Sequence, residues 1–190
     1  WYIVGVVLAT GIPRVGLNGS FFGIFLKPMS EDFGWTRAET TIAVTIGTLI
    51  AAGLGVALGR VLDRFGPRWT LVAAFAVLGG TLLLMSGINH LWQFYTLQIL
   101  GRMLSMGVIA LATMVVVPKW FISKRGRAVA VAQLGGRAGN AVTPLYVQFL
   151  VSRRSWRLAA ATCGIVVWAV SLLPSAIFLR RRPEDMGLLP

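Results

Sequence analysis

Six apolar runs, at about 1–26, 39–61, 69–88, 92–117, 128–151 and 157–179, constrain this chain more than any other feature. Crossing about 30 Å of hydrocarbon at about 1.5 Å per residue takes roughly 20 residues of helix. Inside a bilayer no water can satisfy a backbone N–H or C=O, so runs of this length must be helices. Short connectors separate them: KPMSEDFGWTR, LDRFGPR, NHL, PKWFISKRGR and SRRSW, with an exit segment RRRPEDMGLLP. The expectation is an all-α integral membrane protein with six transmembrane helices. With 56 % hydrophobic and 13 % charged residues, an ordinary soluble domain is excluded.

The net charge of +12 would suit a nucleic-acid binder, but the placement of the charges argues against one. The basic residues gather in the connectors and form no stripe on an amphipathic surface. Arg60, Arg64, Arg68, Lys119, Lys124, Arg125, Arg127 and Arg180 to Arg182 fall on one side of the six-span layout. Lys27, Arg37, Arg153, Arg154 and Arg157 fall on the other. The richer side is expected to be cytoplasmic, which puts both ends inside and the protein in the cell (inner) membrane. The chain starts at Trp1 without a signal-peptide pattern and reads as a fragment that enters at its first span. Trp1, Trp35, Trp69, Trp92, Trp120 and Trp156 lie near span ends, as an interfacial belt would.

The three remaining basic residues, Arg14, Arg102 and Arg137, each sit near the middle of a run, and no Asp or Glu lies in any run's interior. A guanidinium at bilayer depth costs about 2.5–3.5 kcal/mol on insertion scales, so these three should avoid lipid. A shared polar cavity with fixed positive charge is the expected alternative, and it suits a small anion. Helical periodicity supplies further lining candidates. Tyr95, Gln98, Arg102, Ser105 and Thr113 share a side of the fourth run; Gln133, Arg137, Asn140 and Gln148 share one in the fifth. Thr10, Arg14 and Asn18 form a stripe in the first, beside Pro13. Each arginine also has a structural reading: a bond to a neighbour's carbonyl for Arg102, the carbonyl freed near Pro13 for Arg14, an acid elsewhere for Arg137. Runs three and six carry almost no polar groups and are expected to face lipid.

Small residues recur every fourth position at Gly47, Ala51, Gly55 and Gly59, and again at Gly135 and Gly139. That spacing lets helix backbones approach closely in lipid. One cysteine, Cys163, and one histidine, His90, leave no Cys/His metal site and no internal disulfide. No Ser–His or di-acid constellation falls within the runs, so neither an enzyme nor a bound cofactor is expected.

The connector after the second run reads Gly59-Arg-Val-Leu-Asp63-Arg64-Phe-Gly66-Pro-Arg68. It resembles the signature loop of the major facilitator superfamily, and Arg102 and Trp156-Arg157 agree with that resemblance. Trp120-Phe121-x-x-Lys124-Arg125-Gly126, FLKPMSEDFGWTRAE and LRRRPEDMGLLP look like the monocarboxylate and oxalate/formate branch. Ala130, where that branch has glycine, and Arg137 depart from its pattern. The resemblance implies half of a twelve-helix fold: residues 1–179 as an N-terminal six-helix half of two three-helix inverted repeats, and 180–190 as the start of a central cytoplasmic loop. It implies alternating-access transport; with the mid-run arginines and polar stripes read above, the expected cargo is a small organic anion, and the expected substrate contacts are Arg102, Arg14, Arg137, Asn18, Tyr95, Gln98, Gln133 and Asn140. Gly59, Asp63, Arg64, Gly66 and Arg68 would form a gating loop. The implied partners are the anion, membrane lipid and the C-terminal six-helix half. A carrier of another metabolite or drug within the same superfamily, an anion channel and a non-transporting membrane scaffold stand as alternatives.

Overall fold

The computed structural model describes Gly5, Gly11, residues 19–112 and residues 125–178; these are helical or lie in short turns between helices. Helix α1, Gly19–Phe33, runs through Lys27 and Pro28 into what the sequence suggested was a connector. An exposed Lys27–Glu31 pair one turn apart accompanies this extension, and the helix stops at Gly34, whose φ of 68° favours glycine. Thr36 then caps α2, Arg37–Gly53. Its Oγ1 accepts from the Glu39 N–H at 3.2 Å, while the Glu39 carboxylate accepts from the Thr36 N–H at 2.8 Å.

The axis bends by 61° between Arg37–Gly53 and the stretch Ala57–Gly66. Helix α3, Gly55–Met85, contains the whole of the glycine–aspartate–arginine connector, which is therefore no open loop. It is interrupted only at Gly66, where φ 78° and ψ 162° lie outside the helical region and suit a residue without Cβ. Helix α4, Leu91–Arg102, starts where the Gln93 side chain accepts from the Asn89 and His90 N–H groups. It widens into a π-helical stretch, Met103–Ile109, and continues to Ala112. Helix α5 is Arg125–Arg153. Helix α6, Trp156–Val167, is capped by Ser155 and passes through a second π-helical stretch, Trp168–Leu172, into α7, Leu173–Phe178. Pro174 offers no N–H and crowds the carbonyl four residues back, which accounts for the wider turn just before it.

Among the described residues, Arg68–Met85, Leu91–Ala112 and Trp156–Ile177 are long and apolar enough to cross a membrane, and the bent α2–α3 pair would make a fourth. Helix α5 is longer than any of these. However, Gln133, Arg137, Asn140 and Gln148 dilute its apolar character, so length and composition alone do not mark it as a span. The described part of the first run is too short for the same test.

Three helix pairings recur through the packing, α2 with α4, α1 with α5, and the second half of α3 with α6, and α3 also packs on α4 and its π-helical stretch. Runs three and six, expected to face lipid, pack on each other through Leu71, Phe75, Leu78, Ala160, Cys163 and Val167, all buried. Their outer flanks stay open at Val77, Leu84, Ile165 and Ile177. Within the pair, a Cβ on Gly164 would come within 2.8 Å of the Gly79 carbonyl oxygen and 3.1 Å of the Leu83 nitrogen. The Trp168 indole covers Gly79 and donates to the Ala76 carbonyl at 3.0 Å.

Two arginines clasp this pair at opposite ends. Arg68, opening one helix, donates to the Ala176 carbonyl at 2.8 Å; Arg157, opening the other, donates to the Ser86 carbonyl at 3.0 Å. Near Arg157 an aromatic cluster ties three helices and the turn between α1 and α2 together. Phe33 stacks on Trp35 at 4.4 Å and meets Trp156 edge-on at 5.8 Å, and Trp35 packs on Phe94. The buried Trp156 indole donates to the Asp32 carboxylate at 2.5 Å, so this tryptophan is a packing hub and not part of an interfacial belt. Trp69 and Trp92, by contrast, are largely exposed.

The Gly164 crossing yields an expected outcome. Gly164→Val meets backbone on the opposite helix and should cost about 1–3 kcal/mol of stability. Gly80→Ala, with nothing within 4 Å of its added Cβ, should be neutral or slightly stabilising. Thermal unfolding of both variants in detergent, followed by tryptophan fluorescence, checks the contrast.

Candidate functional site

Arg102 is the last residue of α4 before the helix widens, and it is only 3 % exposed. Its seat is made by glycine. A Cβ on Gly47 of α2 would lie 3.2 Å from the Ile99 Cα and 3.4 Å from the Arg102 Cβ and Cδ, so the absence of a side chain lets the arginine stem lie along α2. Thr48, next in that helix, accepts from Nη1 at 3.2 Å, and the Met106 sulfur lies 4.0 Å from the same nitrogen. The Thr48 hydroxyl proton goes to the Val44 carbonyl at 2.9 Å, which leaves its oxygen lone pairs for the guanidinium.

No carboxylate reaches Arg102 among the described residues. Nε and Nη2 are buried and lack an acceptor there. One turn earlier Gln98 is 1 % exposed, and both its amide oxygen and its amide nitrogen are unpaired. Adjacent turns thus hold three unused donors and one unused acceptor away from water. Native proteins rarely leave such groups unmatched, because each costs about 1–3 kcal/mol. The π-helical stretch after Arg102, with Gly107 facing Leu58 and the Ala51 carbonyl, brings α4 against the α2–α3 bend at the same level.

The other residues singled out by sequence are distributed unevenly. Tyr95 lies one turn before Gln98, but its hydroxyl already donates to the Glu39 carbonyl at 2.7 Å and so joins α4 to the start of α2. Ser105 donates back to the Arg102 carbonyl at 3.4 Å. Gln133, Arg137 and Asn140 share one side of α5 and are exposed, opposite the buried Gly135 and Gly139. A Cβ on Gly11 would sit 2.9 Å from the Gly136 nitrogen and 3.1 Å from the Gly135 carbonyl carbon, so the α5 glycines meet Gly11 of the first run. Arg14 and Asn18 lie outside the described residues. Of the two residues that hold Arg102, Gly47 belongs to a small-residue stripe visible in the sequence; the partner it admits is not visible there.

In the signature connector, Asp63 and Arg64 are exposed and Gly59 has nothing within 4 Å of its Cβ direction. Asp63 makes no ion pair among the described residues. Gly66 supplies the break, and Arg68 is engaged by Ala176.

The Major Facilitator Superfamily model matches residues 15–190. The chain belongs to that superfamily. Its members are transporters of small molecules, and the apolar helices fit a multi-pass membrane protein. An uncharacterized transporter of Saccharomyces cerevisiae is 29 % identical over 91 % of the chain and 27 % of its own length. The Fujikurins efflux protein of Gibberella fujikuroi is 21 % identical over 82 % of the chain and 33 % of its own length. The oxalate:formate antiporter of Oxalobacter formigenes is 29 % identical over 55 % of the chain and 25 % of its own length. This superfamily member therefore spans well under half the length of the curated relatives it matches.

The Arg102 seat can be probed without reference to any substrate. Thr48→Val removes the one oxygen acceptor that the described residues give a buried cation and is expected to lower stability by about 1–3 kcal/mol. Thr48→Ser, which keeps that oxygen, should recover most of the loss when both are compared by thermal unfolding in detergent.

Proposed function

We propose that this chain is the N-terminal six-helix half of a secondary carrier for small organic anions, mono- or dicarboxylates, working by alternating access as an antiporter or a proton symporter. The observation that carries the reading is Arg102: a buried arginine with two unused guanidinium nitrogens, no acid beside it among the described residues, and a Gln98 one turn away that is unpaired there. A carboxylate can accept from two guanidinium nitrogens at once, in the planar geometry that arginine offers and lysine does not. Gln98 can add a donor to the same ligand, and Arg14, Asn18, Gln133, Arg137, Asn140 and Tyr95 complete the proposed lining. The likeness to an oxalate:formate antiporter supports the anion assignment.

The packing supports the half-carrier reading as well. Exchanging the first three runs for the last three maps the pairing of one with five onto that of four with two, and maps three with six onto itself. The two arginine clasps, Arg68 to Ala176 and Arg157 to Ser86, exchange in the same operation. That is the pattern expected of two inverted three-helix repeats. In this reading residues 180–190 begin the central loop. Asp63, Arg64 and Arg68 latch the half to its partner in one state and release it in the other. Anion exchange needs no proton carrier; symport would draw one from the other half. A second reading, export of a larger metabolite, is favoured by the likeness to the Fujikurins efflux protein.

Transport by the full-length protein in proteoliposomes tests the proposal with labelled oxalate, formate and lactate, with and without a trans anion. Saturable, trans-stimulated uptake that falls at least about tenfold in Arg102→Gln is expected, roughly the loss of one charge-assisted contact. Non-saturating flux without counterflow would favour a channel. Uptake unchanged by Arg102→Gln would make that residue structural, and absence of uptake for all three anions would favour the exporter.

A further inference from the structure

An open apolar groove of about 400 Å³ lies between the break in α3 and the π-helical stretch after α4. Val61 and Phe65 precede the break, Trp69 and Val77 follow it, and Leu104 and Val108 form the facing wall. The one hydroxyl in the lining, that of Thr70, is already committed to the Gly66 carbonyl at 2.7 Å. The groove therefore offers a polar solute nothing to bind. From Trp69 to Val77 it follows just over two turns of a membrane-crossing helix, roughly 12 Å at about 1.5 Å per residue.

One end of the groove is cationic. The Arg64 guanidinium lies 5.7 Å from the centre of the Phe65 ring, and that of Arg68 lies 5.5 Å from the Trp69 ring. Both rings line the groove, so both cations stand at its edge. Arg68 spends Nη2 on Ala176 but keeps a buried Nε with no acceptor among the described residues. Arg60 adds a third positive charge one turn before Arg64, against a single acid, Asp63. A dry channel reaching into the hydrocarbon and ending in arginines at the level of a tryptophan matches one kind of occupant. It has an acyl chain and an anionic phosphate joined end to end.

We propose that this groove is a binding site for an anionic phospholipid, with one acyl chain between α3 and the π-helical stretch and its phosphate on Arg64 and Arg68. The inference does not depend on which solute the protein carries. Because the arginines belong to the signature connector, a lipid seated there would tune the same segment assigned above to gating.

Native mass spectrometry of the full-length protein, delipidated and titrated with phosphatidylglycerol or phosphatidylcholine, tests this. One phosphatidylglycerol should be retained in preference to phosphatidylcholine. Arg64→Gln, which breaks no hydrogen bond or ion pair among the described residues, should cut that preference about fivefold, the share of one arginine near a membrane surface. Ala73→Phe, which fills the groove, should remove retention of both lipids while the protein keeps its melting temperature. Equal retention of the two lipids by the wild type, or a preference untouched by Arg64→Gln, would overturn the proposal. So would loss of phosphatidylglycerol from the wild type, which would leave the groove to bulk lipid or to another helix.

Discussion

Within hydrocarbon a helix gains little by burying apolar side chains against another helix, because the lipid is equally apolar. Association has to come from close backbone approach and from polar groups that find partners across the interface. Close backbone approach recurs at all three pairings described above, and polar bonds fasten two of them. Gly79 and Gly164 meet in one, Gly11 and Gly135 in another, and Gly47 admits Ile99 and Arg102 in the third. Polar bonds then fix the ends. Arg68 and Arg157 fasten one helix pair reciprocally, Tyr95 reaches the Glu39 carbonyl, and the Trp156 indole holds Asp32. The two arginine bonds end on backbone carbonyls at helix C-termini, where such acceptors are unused.

Arg102 takes its meaning from that frame. The arginines of the clasp find carbonyls because they open helices and so lie beside the ends of their neighbours. Arg102 lies mid-span, away from helix C-termini, and among the described residues the Thr48 oxygen is the one oxygen that accepts from its guanidinium. A cation held in this way is matched by a ligand more readily than by the protein. The same reasoning separates it from Arg137, which is exposed on α5 and pays no burial cost among the described residues.

Much of this was legible from the sequence. The all-helical architecture follows from run length, the gravity of a mid-membrane arginine from its cost, and the signature connector from its residue order. Less could be read about helix boundaries. The first connector continues α1 to Phe33 because Gly34, and not Lys27 or Pro28, provides the left-handed stop. The second connector is helical on both sides of Gly66 for the same reason. Trp156, which a belt rule sends to the interface, is buried because Asp32 from a distant segment accepts its N–H.

By itself the sequence determined the chain's solvent, its helical class, its superfamily and the residues whose presence in a membrane requires explanation. Periodicity and composition are local properties, and they suffice for that. Only the tertiary structure decided which helix meets which, and hence that Gly47 and Thr48 seat Arg102, that Tyr95 is already engaged, and that Gln98 is not. It also decided that Phe65 and Trp69 line a groove with arginines at its edge. Partners across an interface are separated by up to 124 residues of chain in the Asp32–Trp156 bond, and no spacing rule encodes a contact of that range.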